Sequence, residues 1–138
     1  LILNPDRKAQ FEFVRPALSA DAATRDAFFT RLSDVKNRRR EAWVLQAVGY
    51  LNHPLRAQAS EKYITPSLEL LSEIQRTGDI FFPKRWTDAT LSGHQSASAA
   101  RRVSDFLEKL PANYQERLRR IILSSSDDLI RLRRIRER

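Results

Sequence analysis

Apolar residues recur along the chain at the spacing of an α-helix rather than in strand-like alternation. The clearest stripe is Val44, Ala47, Val48 and Leu51, which fall on one face of a helix. Similar stripes recur in four other segments: Phe28, Leu32 and Val35; Leu68, Leu71 and Ile74; Ala99, Val103, Phe106, Leu107 and Leu110; and Leu118, Ile121, Ile122, Leu129 and Leu132. This periodicity predicts an all-α protein.

Capping residues and prolines predict where the helices begin and end. The predicted helices run from Asn4-Pro5 to about Val14, ahead of Pro16; from a cap at Ser19 or Asp21; from about Val35 to Asn52; from Arg56 to about Ile64; from Thr65-Pro66 to Thr77-Gly78; around Trp86 to Leu91, closed by Gly93; from Ser96 to Pro111; and from about Asn113 to Arg136. Seven or eight helices with short loops favour an irregular, HEAT-like stack of antiparallel helical hairpins in a single domain, residues 1–138.

The composition agrees with a helical domain and removes several kinds of site. Only three residues of 138 are Gly, and no Asn-Gly or Asp-Gly hairpin step occurs. No apolar run approaches the roughly 20 residues of a transmembrane helix, so we expect no membrane span. The chain has no Cys, which excludes disulfides, thiol nucleophiles and thiolate metal ligands.

The sequence contains no recognisable catalytic constellation. His53 and His94 are the only histidines, and no HExxH, phosphate-binding glycine loop or GxSxG motif occurs. For His53, before Pro54, we favour a side chain that caps terminal carbonyls over a ligand role. For His94 we favour a local hydrogen bond over contact with a partner. We therefore assign no catalytic, metal-binding or cofactor-binding residue.

One apolar cluster leaves two alternatives open. The segment Asp79–Pro83 is apolar and too short for a helix, so we predict a buried connector there. Its Phe81 and Phe82, with Trp86, fill the core between two helical hairpins or form a contact surface for a neighbouring domain. We favour the core.

The net charge of +8 raises the question of nucleic-acid binding. The basic residues form two groups, Lys36, Arg38, Arg39 and Arg40 in one and Arg117, Arg119, Arg120, Arg131, Arg133, Arg134, Arg136 and Arg138 in the other. The second group shares its helix with Glu116, Asp127, Asp128 and Glu137, at spacings that allow ion pairs. We expect a solvated, salt-bridged face and no nucleic-acid partner.

Strings spread over nearly the whole chain, in one consistent order, carry a family resemblance. They are Phe13 and Pro16-Ala17-Leu18-Ser19; Asn37-Arg38 with Glu41, Trp43 and Val44; Tyr50-Leu51-Asn52-His53-Pro54-Leu55-Arg56; and Thr77-Gly78-Asp79-Ile80-Phe81-Phe82-Pro83 with Trp86, Leu91 and Gly93-His94-Gln95-Ser96. Together they resemble the C-terminal region of aminopeptidase N-like zinc metallopeptidases, bacterial members above all.

The resemblance implies a gluzincin parent that removes N-terminal residues from peptides with one Zn²⁺. In that family an HExxH motif and a distant Glu hold the metal, and a GxMEN-type motif holds the substrate's amino terminus. None of these motifs occurs here, so no functional residue is carried over. The family's C-terminal helical domain packs on the catalytic domain and helps enclose the substrate chamber.

We therefore expect a non-catalytic C-terminal domain excised from a longer peptidase, since the chain starts without Met or a signal-peptide pattern. Its partners are then the catalytic domain of the same polypeptide and, in the parent, the peptide substrate. Zinc is expected only in the parent. The alternatives are a free-standing basic helical-repeat module that binds nucleic acid or an acidic protein, and a domain that supports an unrelated metallopeptidase. The compartment stays open.

Overall fold

The structure, a computed structural model, describes residues 4–136, and side chains over residues 4–135. Its α-helices are α1 (Pro5–Val14), α2 (Ala22–Leu32), α3 (Glu41–Leu51), α4 (Ala57–Ser60), α5 (Ile64–Glu69), α6 (Leu71–Thr77), α7 (Phe82–Leu91), α8 (Ala97–Glu108) and α9 (Glu116–Arg136). Short 3₁₀ turns span Arg15–Leu18, Val35–Arg38, Pro54–Arg56 and Glu61–Tyr63. No strand occurs within residues 4–136, and α4 is a single turn, so the predicted all-α stack of seven or eight helices is confirmed.

The predicted helix starts have a local chemical cause. Three N-cap side chains accept backbone N–H groups that have no partner inside the helix: Asn4 from Asp6 at 2.9 Å, Asp21 from Thr24 at 3.2 Å and Ser96 from Ala99 at 3.0 Å. α1 ends at Val14 and passes into a 3₁₀ turn that contains Pro16, as its position predicts.

The third predicted helix starts later than expected. The turn Val35–Arg38 precedes α3, which begins at Glu41 instead of Val35. Two contacts fix this turn: Asp34 Oδ1 accepts from Lys36 N at 3.0 Å, and the buried Arg38 donates from Nη1 to Leu32 O at 2.7 Å. Because α2 ends at Leu32, its stripe does not extend to Val35, which is exposed.

The predicted helix start at Thr65-Pro66 is also wrong. Pro66 is the third residue of α5, which starts at Ile64. A proline fits there because the first N–H groups of a helix have no intrahelical carbonyl to bond.

The core follows a succession of packed helices. α1 packs on α3, α3 on α7, α7 on α9, α9 on α8 and α8 on α5. Trp86 of α7 is 0% exposed, and its Nε1 donates to Ser67 O of α5 at 2.9 Å. The predicted stripe of α3 is wholly buried, whereas the predicted core residues Phe106, Leu107, Leu110, Ile121 and Leu132 are half-buried.

Candidate functional site

His53 and His94 play different structural roles. The exposed His53 caps the turn that follows it: its Nδ1 accepts from Leu55 N at 3.1 Å. The predicted capping of the preceding carbonyls is therefore wrong, because the ring acts as an acceptor. His94 is 3% exposed, and its side chain bonds Asn52, which is 42 positions away, so the predicted local hydrogen bond is wrong.

The hydrogen bond of His94 fixes its tautomer. Asn52 Nδ2 donates to Val48 O at 3.0 Å, so Asn52 Oδ1 is the acceptor that faces His94 Nε2 at 2.9 Å. The ring therefore carries its proton on Nε2, and the buried Nδ1 has no hydrogen-bond partner in the described part of the chain. Burial lowers the pKa of His94, and the nearby Glu61 carboxylate offsets part of that effect. This neutral ring joins α3 to the loop before α8.

Glu61 belongs to the same buried polar group. Its Oε1 accepts hydrogen bonds from Ser96 Oγ, at 2.7 Å, and from Ser98 Oγ. Burial acts to raise the pKa of Glu61, but the hydrogen bonds from Ser98 and Ser96 hold it below its ordinary value. The carboxylate thus ties the 3₁₀ turn Glu61–Tyr63 to the start of α8.

The first basic group is only partly available to a ligand. Arg38 is 3% exposed, and its Nη2 lies 3.2 Å from Glu73 Oε1 on α6. Arg40 lies over the ring of Trp43, with its guanidinium carbon 4.9 Å from the ring centre. Arg38 is therefore a structural residue that links its turn to α6.

Several arginines of α9 pair within the helix, as the spacing predicts. Arg131 pairs with Asp127, and Arg119 and Arg120 lie 3.8 Å and 3.5 Å from Glu116. Arg117 was expected to pair with a carboxylate; instead its Nη2 donates to a backbone oxygen, Ile80 O, at 2.7 Å. The suggested pairing of Arg134 with Glu137 falls outside the described residues.

The segment between α6 and α7 is divided between surface and core. Phe82 and Pro83 are buried in the first turn of α7, whereas Ile80 and Phe81 are each 61% exposed. The predicted buried connector over Asp79–Pro83 is therefore wrong for its first half. The ring of Phe82 lies against Trp86, with centroids 6.0 Å apart. Phe82 and Trp86 thus fill the core, whereas Phe81 is exposed at the surface.

We call the exposed pair the Ile80–Phe81 corner. Hydrogen bonds from several directions hold its backbone. Asp79 N donates to Glu41 Oε2 at 3.0 Å, and Phe81 N donates to Asp79 Oδ1 at 2.9 Å. With Arg117 on Ile80 O, the corner is fixed from both α3 and α9.

A groove adjoins the corner through Arg117. It has a volume of about 440 Å³ and is lined by Lys84, Glu116, Arg117, Arg120, Ile121 and Ser124. Lys84 spans from α7 to α9, because its Nζ bonds Asp88 Oδ1 at 3.0 Å and Ser125 Oγ at 2.9 Å. The sequence suggested an interdomain surface at the aromatic cluster, but not that arginines of α9 border it. Contacts that span 37 positions, as between Arg117 and Ile80, leave no local signal.

Comparison of the chain with protein-family models, with curated proteins and with solved structures gives no match. Within residues 4–136, no group of three or more His, Cys, Asp or Glu side chains is arranged to hold a metal ion. None of the helices described is both long enough and apolar enough to cross a membrane. The fold and this surface define an all-α domain whose most distinctive exposed feature is an apolar corner beside a basic groove.

Proposed function

We propose that the chain is the non-catalytic helical domain of an aminopeptidase N-like zinc metallopeptidase. In this proposal it packs on the catalytic domain of the same polypeptide and helps enclose the chamber that receives the peptide. One observation carries the proposal: the sequence strings that resemble the family contact one another in the fold.

The tightest of these contacts joins the string that contains Asn52 to the string that contains Gly93 and His94. A Cβ atom added to Gly93 would lie 2.0 Å from Asn52 O, so only glycine allows the two segments to approach this closely. The next residue, His94, then bonds the Asn52 side chain at 2.9 Å. Both strings thus have residue types that this junction requires.

Two more contacts follow the same pattern. Glu41 accepts from Asp79 N, which joins the second string to the fourth, and a Cβ on Gly78 would lie 2.9 Å from Glu41 Oε2. Phe13 of the first string lies against Trp43 of the second, with ring centroids 5.9 Å apart. Because the strings that carry the resemblance contact one another in this fold, we interpret them as parts of one shared architecture.

Zinc enters this proposal only through the parent enzyme. The described residues do not fit a zinc centre, since Nε2 of His94 is engaged by Asn52 and Nδ1 of His53 caps a turn. The chain therefore contributes packing and enclosure in this proposal, and the metal-bound chemistry belongs to the catalytic domain.

The coding sequence upstream of this chain provides the first test. It should encode an HExxH motif followed by a distant Glu. The whole reading frame, once expressed, should hydrolyse an aminoacyl-nitroanilide in a zinc-dependent reaction, and residues 1–138 alone should not. An upstream sequence without such a motif would contradict the proposal. So would turnover by the isolated chain that is lost in His53→Ala or His94→Ala.

A further inference from the structure

We propose that the Ile80–Phe81 corner and its adjoining groove form a docking surface for an acidic segment of the partner domain that inserts an apolar side chain. This deepens the proposed function, because it rests on a partner domain and specifies the surface and chemistry by which that domain is held. The inference depends on the rigidity of the corner, its unpaired cations and the shape of the groove.

The corner keeps two large apolar side chains at the surface. A free loop could turn such side chains inward, but here Arg117 holds Ile80 O and Glu41 holds Asp79 N. The side chains are therefore exposed by a fixed backbone, and that backbone has little conformational freedom left to lose on binding. Phe and Arg are also enriched among the residues that dominate protein interfaces.

Among residues 4–136, the guanidinium groups beside the corner lack the carboxylate partners that Arg119, Arg120 and Arg131 have on α9. The Arg85 guanidinium carbon lies 5.6 Å from the centre of the Phe81 ring, and Arg117 bonds a carbonyl. Among residues 4–136, neither makes an ion pair, in contrast to Arg120 and Arg131. Arg117 uses one of its five N–H donors on Ile80 O, so most remain for a carboxylate from outside.

The groove supplies the apolar half of the surface. Ile121 and the aliphatic parts of Lys84 and Arg120 line it. Its one lining carboxylate, Glu116, is paired with Arg119 and Arg120. The groove is open to solvent and has a volume of about 440 Å³, so a single Leu or Phe side chain can lie in it. An apolar anchor flanked by carboxylates therefore matches the groove together with Arg117, which lines it, and Arg85, which lies over the Phe81 ring.

A titration of the isotopically labelled chain with short synthetic peptides tests this surface by amide chemical shifts. One peptide carries a central Leu between Asp and Glu residues. The second replaces the acidic residues by Lys, and the third replaces Leu by Ser. The first peptide should shift the amide signals of Ile80, Phe81 and Arg117, with a Kd on the order of 1 mM or tighter. The second and third should bind about tenfold more weakly or not at all.

Matched substitutions distinguish specific binding at the corner from non-specific electrostatic or hydrophobic binding elsewhere on the surface. Phe81→Ser and Arg85→Glu should each weaken binding of the first peptide about tenfold. Two controls should leave it unchanged: Leu55→Ser, which removes an apolar side chain that is 93% exposed elsewhere, and Arg7→Glu, which makes the same charge change on α1. Arg85→Glu leaves the backbone hydrogen bonds of the corner intact.

Three results would overturn the inference. The basic peptide could bind as tightly as the acidic one. The acidic peptide could leave the amide signals of the corner unshifted. The two control variants could lose as much affinity as Phe81→Ser and Arg85→Glu. Self-association abolished by Phe81→Ser would assign the corner to a second copy of the chain, and duplex RNA that competes for it would assign it to nucleic acid. Each of these also refutes the acidic partner. Because no zinc or catalytic domain enters the experiment, its failure is distinct from the absence of an upstream HExxH motif.

Discussion

Substitution of Gly93 by Ala is the sharpest single test of the packing described above. The backbone at Gly93 has no positive φ, so alanine meets no conformational penalty there. The obstacle is space: the new Cβ would lie 2.0 Å from Asn52 O, whereas ordinary contact begins at 3.4 Å. The atom it meets is backbone oxygen at the end of α3, which cannot rotate away as a side chain can.

The magnitude follows from the two contacts that would have to give way. Forcing an extra carbon into a packed site costs about 1–3 kcal/mol. Separation of the two segments also breaks the bond between His94 and Asn52, and leaving such buried groups unpaired costs about 1–3 kcal/mol more. We therefore expect Gly93→Ala to lower the free energy of unfolding by about 2–6 kcal/mol.

Gly49→Ala is the matched control, since it makes the same chemical change inside α3 with no foreign atom within 4 Å of the new Cβ. It should stabilise the chain by about 0.4–1 kcal/mol, because alanine has less backbone freedom to lose. Urea unfolding followed by circular dichroism gives both values from the midpoint and slope. If Gly93→Ala proves as stable as the parent chain, the close approach of Gly93 to Asn52 is incorrect, and so is the junction that supports the proposed function.

Three further substitutions or titrations test other parts of the structure. Trp86→Ala should lower the free energy of unfolding by about 3–5 kcal/mol, as urea unfolding would show; a loss under about 1 kcal/mol would mean that this side chain is not in the core. Because burial lowers the pKa of His94, the unfolded chain binds its proton more readily, so stability should fall as the pH drops below about 6.5. In His94→Gln the free energy of unfolding should depend less steeply on pH between about 7 and 5, as the same unfolding assay would show. An unchanged slope would contradict the buried neutral ring. Arg131→Ala/Arg134→Ala should barely change stability, and fluorescence anisotropy should find only weak duplex binding; a steep salt dependence that flattens by about two units in this variant would instead favour a nucleic-acid surface.

The accuracy of the sequence-based predictions depends on how far apart the interacting residues lie. The caps at Asn4, Asp21 and Ser96 act over two or three positions; Asn4 and Ser96 were predicted, and Asp21 was one of the two candidates for its helix. The start of α3 was not, because the turn before it is fixed partly by Arg38, whose side chain reaches back to α2 and across to α6. A residue that looked like part of a basic surface is thus a buried structural one.

The segment between α6 and α7 shows the same limit where it bears on function. Hydrophobicity alone assigned Ile80 and Phe81 to the interior with Phe82, since an apolar run gives no sign of where it crosses the surface. What exposes the first two is the anchoring of the backbone at Asp79 N by Glu41 and at Ile80 O by Arg117, both of which lie far away in the sequence. The sequence likewise predicted that Arg117 belongs to the salt-bridged face of its helix. Its role as the support of an exposed apolar corner follows only from the fold, and the docking surface proposed above combines this charge with the exposed apolar side chains of the corner.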